Sequence, residues 1–167
     1  VNNFMFNKLM KVISLSYDEA GYACSIGTSI KNKYNTITNF FDYLVVDMKT
    51  INDIVNLKDL NLIMNNLNIE DLNDNKHIKI TWNNFYKLIS YHDLGVNYNE
   101  NDIEMFKNKY IRRFHRLMND IYNEKIIYFL KYGKTSYNEV NDFINKIKKI
   151  NSNLIIYFIN VDYDENI

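Results

Sequence analysis

IIYFLKYGKTSYNEVNDFINKIKKINSNLIIYFI, residues 126–159, is the stretch whose reading decides the fold. It opens on a continuous apolar run, Ile126–Leu130, and closes on another, Leu154–Ile159. Between them Gly133 marks a turn, and Ser136 with Glu139 three residues on has the pattern of a capping box. Val140, Phe143, Ile144 and Ile147 then recur at helical spacing. Two wholly apolar strands joined through a helix are what a parallel sheet covered on both faces requires. The stretch therefore predicts an α/β domain, built as a three-layer, doubly wound, mainly parallel sheet with helices on both faces.

Working outward, the longest helix is expected from about Asp102 to Tyr122. Asn101 and Glu104 would cap it, and Ile103, Phe106, Tyr110, Phe114, Leu117 and Ile121 would form its buried stripe. His77–Trp82 and Phe85–His92 suit strands, and residues 58–75 suit a short helix and a loop. Thr50, with Asp53 three residues on, reads as a helix start before Ile51, Ile54 and Val55. Phe40–Val46 and Lys11–Ser16 read as strands, with a short helix over Ser25–Lys33. No linker or repeat interrupts residues 1–167, which read as one domain. The chain begins with Val, as a piece of a longer chain would.

Composition narrows the function classes. Nearly half of the 167 residues are hydrophobic, which is enough for a real core. The formal net charge is zero, so neither a general nucleic-acid binder nor a polybasic membrane-surface protein is expected. No apolar run approaches the roughly 20 residues of a membrane span. A single cysteine cannot close an internal disulfide, and no Asn-x-Ser/Thr sequon occurs; both point to a reducing, intracellular setting. One Cys and three scattered His give no metal-ligand pair, and there is no Gly-x-x-x-x-Gly-Lys loop, so neither a metal nor another cofactor is expected.

In a doubly wound sheet, chemistry gathers beyond the carboxyl ends of the strands. Cys24 follows the first expected strand at the head of a helix, and His92 closes another strand. A cysteine at a helix N-terminus feels partial positive charge and free N–H groups, which favour its thiolate and could stabilise an oxyanion. A histidine within reach could take the thiol proton, and a carboxylate would hold the imidazole in orientation. Asp42 and Asp93 are the candidates for that third role. Against this stands the ordinary reading, in which a lone cysteine is a small buried hydrophobe.

Ile13–Ser16, Cys24-Ser25-Ile26, Phe40–Leu44, His92–Leu94, Lys109–Leu117 and Lys125–Lys131 follow one another in the order of a known family. The chain resembles, over roughly residues 11–160, an uncharacterised family of papain-like cysteine peptidases found in bacteria and large DNA viruses. Its members typically show a strand ending in Ser-Leu-Gly, a cysteine soon after, a Phe-Asp-Trp, a His-Asp and an Arg-Arg-x-x-Arg helix. The resemblance implies Cys24 as nucleophile and His92 as base, with Asp42 on the Phe-Asp pair and Asp93 on the His-Asp pair. For a viral member it implies the host cytoplasm. Ser16 stands where the family has glycine, Tyr43 where it has tryptophan, and the loop Tyr17–Ala23 is longer than usual.

Lys109, Arg112, Arg113 and Arg116 share one face of the long helix. They could bind an anionic ligand, or simply form a solvated face opposite the aromatic stripe. The expected function is a cysteine-dependent hydrolase, papain-like peptidase or esterase/acyl transferase, acting on a peptide, ester or other acyl substrate. The alternatives are a non-catalytic α/β ligand-binding domain and a sugar- or acyl-modifying enzyme of glycan biosynthesis.

Overall fold

The structure is a computed structural model in which residues 11–17, 28–29, 31–33, 37–72, 77–85 and 87–161 are described. The stretch read first folds as expected. β6 (Ile126–Tyr132), α4 (Tyr137–Ile150) and β7 (Ile155–Val161) form a strand–helix–strand unit. The strands are parallel and in unbroken register from Ile126 opposite Ile155 to Tyr132 opposite Val161. Ser136 and Glu139 close the predicted capping box. Phe143 of α4 packs edge-on against Phe129 of β6, with ring centroids 4.9 Å apart. Gly133 takes the left-handed turn after β6 (φ 114°), where a Cβ would be strained.

β1 (Lys11–Tyr17) lies parallel to β6 on one side and to the short β2 (Leu44–Val46) on the other. Beyond β2 the sheet changes character. β5 (Leu88–Ser90) runs antiparallel to β2, β4 (Ile78–Trp82) antiparallel to β5, and β3 (Leu67–Asp71) antiparallel to β4. The order is β3-β4-β5-β2-β1-β6-β7. The sheet is thus mixed: β1, β2, β6 and β7 form a parallel block, and β3–β5 a meander. The physical reason is connection length. The segments between β3 and β4 and between β4 and β5 are too short for the crossover that parallel neighbours need.

α1 (Met48–Val55), α3 (Glu100–Asn123) and α4 pack over one face of the sheet, with the single turn α2 (Asn61–Met64) beside them. Asn52 of α1 donates to the Glu139 carbonyl of α4 at 3.0 Å. Phe106 and Tyr110 of α3 sit 5.4 Å from the Trp82 ring, whose Nε1–H points at Met64 Sδ. Ile13, Leu15, Leu44, Val46, Ile80, Leu88, Ile127 and Phe129 meet these helices in one continuous core. The other face carries a small cluster of Tyr17 and Val45 with Ile89, Tyr91 and Tyr132. The expected second helix layer is not seen among the described residues; the helical turns at residues 28–29 and 31–33 are exposed.

Local chemistry moved several boundaries. Phe40–Tyr43 is a turn and not strand, because Asn39 and Asp42 bond to nearby backbone in place of a ladder. α1 is capped by Asp47, whose Oδ1 accepts from Thr50 N–H at 2.8 Å, so Thr50 lies inside the helix it was expected to cap. α3 is capped by Asn99 with Asp102, and not by Asn101 with Glu104.

Candidate functional site

β1 ends with Tyr17 opposite Val45, and β5 ends with Ser90 opposite Leu44. Both strand ends therefore sit at the level of Leu44–Val45, on either side of β2. Two strand spacings separate them, about 10 Å. The chain that leads to Cys24 leaves from the first end, and His92-Asp93 follows the second. Because β5 is antiparallel, the two leave in opposite directions. His92 lies at the amino end of β2, so the shared position at carboxyl ends expected for a doubly wound sheet does not hold. Cys24 lies outside the described residues.

Backbone strain collects at the same place. Ser16 and Tyr43 have φ of 58° and 69°, the left-handed region that costs a residue with a Cβ on the order of 1–3 kcal/mol. They are neighbours across the sheet, since Ser16 Oγ–H donates to the carbonyl of Leu44, the residue after Tyr43. Ser16 N–H donates to Ser14 Oγ at 3.0 Å. The Ser16 turn shifts the register of β1 against β6 and moves Tyr17 to the face opposite Ile13 and Leu15.

Lys131 completes this constellation and was missed by the sequence reading. It is fully buried at the end of β6, and its Nζ donates to the Tyr132 carbonyl at 2.8 Å and towards the Ser16 carbonyl at 3.5 Å. The signal was available. Lys131 continues the inward row of Ile127 and Phe129 at spacing two, so a charge falls where the pattern demands an apolar residue.

Asp93 is the centre of a polar network. Its carboxylate accepts from Ser90 Oγ, from Lys109 Nζ and, at 2.6 Å, from the Tyr110 hydroxyl. Burial pushes its pKa up, but the bonds from Lys109, Ser90 and Tyr110 outweigh burial and hold the carboxyl below its ordinary value. The Tyr110 phenol is pushed well above 10 by burial and by the adjacent Asp93 charge.

Asp42 sits in the Phe40–Tyr43 turn and accepts from Asn39 N–H at 2.8 Å and Asn39 Nδ2 at 3.0 Å. Burial raises its pKa to about 6; the Asn39 bonds, the Arg113 charge and the Ser14 hydroxyl offset this only in part. Arg113 acts on the Asp42 carboxylate through its charge and lies over the ring of Tyr110. Its guanidinium lies 5.2 Å from the Tyr110 ring centroid, and its Nη1 is buried with no hydrogen-bond partner among the described residues.

The basic row on α3 therefore divides. Lys109 is ion-paired to Asp93, Arg113 is drawn inward, and Arg116 donates to the Thr38 carbonyl at 2.8 Å. Arg112 is exposed. The face is therefore not a uniform solvated surface. His92 is also exposed, and its ring meets His77 edge-on with centroids 5.6 Å apart. The hydrogen bonds of Asp42 and Asp93 go to the partners named above and not to His92, so neither carboxylate holds that imidazole in this arrangement. Asp93, the residue after His92, is instead held by Ser90, Lys109 and Tyr110.

Among the described residues no group of three or more His, Cys, Asp and Glu is placed to hold a metal, and no helix is long and apolar enough to cross a membrane. Comparison with protein-family models, curated proteins and solved structures gives no match.

Proposed function

We propose that the chain is a cysteine-dependent hydrolase or acyl transferase with Cys24 as nucleophile and His92 as general base. The observation that carries this reading is that β1 and β5 end at the same level on either side of β2, beside Leu44–Val45, so the chains leading to Cys24 and to His92 start about 10 Å apart, although in opposite directions. Two further features support it. Strained backbone clusters at functional sites, and Ser16 and Tyr43 both carry it, with Ser16 bonded to Leu44, the residue after Tyr43. The exposed His92 also stands beside a residue locked by three donors, which is the rigidity a base requires.

In the proposed reaction a neutral His92 nitrogen takes the Cys24 thiol proton. The thiolate attacks a substrate carbonyl, and the imidazolium returns the proton to the leaving amine or alcohol as the acyl–oxygen or acyl–nitrogen bond breaks. Water or a second acceptor then attacks the thioester, giving its proton to His92, which passes it to the Cys24 sulfur as the acyl–sulfur bond breaks. Hydrolysis of activated esters and of a peptide library by wild type, Cys24→Ser and His92→Ala tests this. Turnover lost in both variants is expected; turnover unchanged in Cys24→Ser contradicts it.

One observation favours a second reading, a ligand-binding domain. Residues 93–98 and the first turns of α3 enclose an open cleft of about 670 Å3, with Val96, Tyr98 and Met105 as apolar walls and Arg112 at its side. Saturable ligand binding with no turnover of any acyl substrate would select this reading.

A further inference from the structure

We propose that β7 is a dimerisation strand, along which two copies of this chain pair antiparallel about a two-fold axis at Phe158, making one sheet across both. Among the described residues β7 is the last strand of the sheet, with β6 as its neighbour. Its hydrogen-bonding direction is fixed at both ends. Ile155 N–H donates to the Lys125 carbonyl at 2.8 Å, and the Val161 carbonyl accepts from Gly133 N–H at 3.0 Å. Successive residues of a strand direct their N–H and C=O groups to alternate edges. Residues 155, 157, 159 and 161 therefore face β6, and Ile156, Phe158 and Asn160 present theirs to the outer edge.

A second copy of the same strand fits that edge in one register. With the axis at Phe158, Phe158 lies opposite itself and Ile156 opposite Asn160. These are the edge-directed residues, and each such antiparallel pair exchanges two bonds, about six in all. The same register sets Ile155 opposite Val161 and Tyr157 opposite Ile159. These four side chains are 49, 43, 48 and 43% exposed in that order, all on one face, and would cover each other. Tyr157 is already stacked on Tyr128 at 4.6 Å, which presents its ring flat to the incoming strand.

Charge also favours a second copy. The sequence IIYFINV carries no ionised side chain, so the two-fold opposes no like charges. It has no proline and no register shift against β6. The opposite edge differs: β3 is LNIED, with Glu70 and Asp71 exposed and Lys79 paired to Glu70, the kind of charge that blocks edge pairing.

Sedimentation of the full chain over a range of concentrations tests the proposal, with two variants at the exposed positions. Tyr157→Lys with Ile159→Lys sets lysine opposite lysine twice across the axis. Tyr157→Lys with Ile159→Glu sets opposite charges there. The expected result is a dimer for wild type, at least tenfold weaker association for the double lysine variant, and a dimer for the charge-paired variant. A wild type that stays monomeric throughout, or two variants that associate equally, would overturn it.

Discussion

The buried hydroxyl of Tyr110 donates to the Asp93 carboxylate at 2.6 Å, and through that contact α3 is tied to the end of β5. Lys109, one residue earlier, supplies the counter-charge. Replacing Asp93 with Ala leaves a buried phenol and an ammonium without their acceptor. Loss of one member of such a pair costs about 3–5 kcal/mol. Tyr110→Phe removes one donor to a charged group and should cost about 1.5–3 kcal/mol. Urea unfolding of both variants checks this; a loss below about 1 kcal/mol for Asp93→Ala would mean the network is ornamental.

Asp42 gives stability a pH dependence of a defined sign. Its folded pKa of about 6 lies above the ordinary 3.8, so the folded state holds the proton more tightly. The associated stability is fully present below pH 3.8 and is lost as pH rises through about 6. The shift corresponds to on the order of 3 kcal/mol. Melting temperatures of wild type and Asp42→Asn, compared from pH 4 to 7, should converge or cross as pH rises, because the variant lacks this loss. Parallel curves would show that Asp42 does not titrate in this window.

Asp93 acts in the other direction. Its pKa is depressed, so its contribution is present above pH 3.8 and disappears as pH falls through its folded value. In an Asp42→Asn background the remaining acid-side loss should shrink when Lys109 is changed to Met, since Lys109 is the largest of the influences that lower the Asp93 pKa. Acid titration followed by circular dichroism reads this directly.

Ser16 reverses an ordinary substitution rule. At φ 58° glycine carries no Cβ penalty whereas alanine keeps the strain, and both lose the hydroxyl bond to Leu44 alike. Ser16→Gly should therefore be more stable than Ser16→Ala by about 1 kcal/mol. Chemical denaturation of the pair decides it, and an alanine variant as stable as the glycine variant would contradict the assigned turn.

The β6–α4–β7 unit was legible because its signals are local: two apolar runs, a capping box and one helical stripe. The direction of β5 was not taken from the sequence, although the signal was present. His77–Trp82 and Phe85–His92 were read as strands two residues apart, and such a gap admits only a hairpin. β3 was missed because Leu67 and Ile69 alternate with Asn68, Glu70 and Asp71, a weak pattern in an Asn-rich stretch. At the site, Asp93 was legible as an acid just after a strand, and Asp42 as an acid within the stretch Phe40–Val46. Their partners could not be, because Lys109, Tyr110 and Arg113 reach them only through the packing of α3 against the sheet. Cys24 and His92 were legible from their places after expected strands, and the resemblance implies the same pair; the geometry added the strain at Ser16 and Tyr43 and the burial of Lys131.

The central claim is that Cys24 and His92 act as a pair. The rate of Cys24 alkylation by iodoacetamide against pH, in wild type, His92→Ala and His77→Ala, tests it most directly. The account predicts fast alkylation with an apparent pKa well below the free-thiol value of about 8.5, lost in His92→Ala and kept in His77→Ala. Slow alkylation that titrates at or above that value, unchanged by removal of His92, would contradict it and leave Cys24 a structural residue.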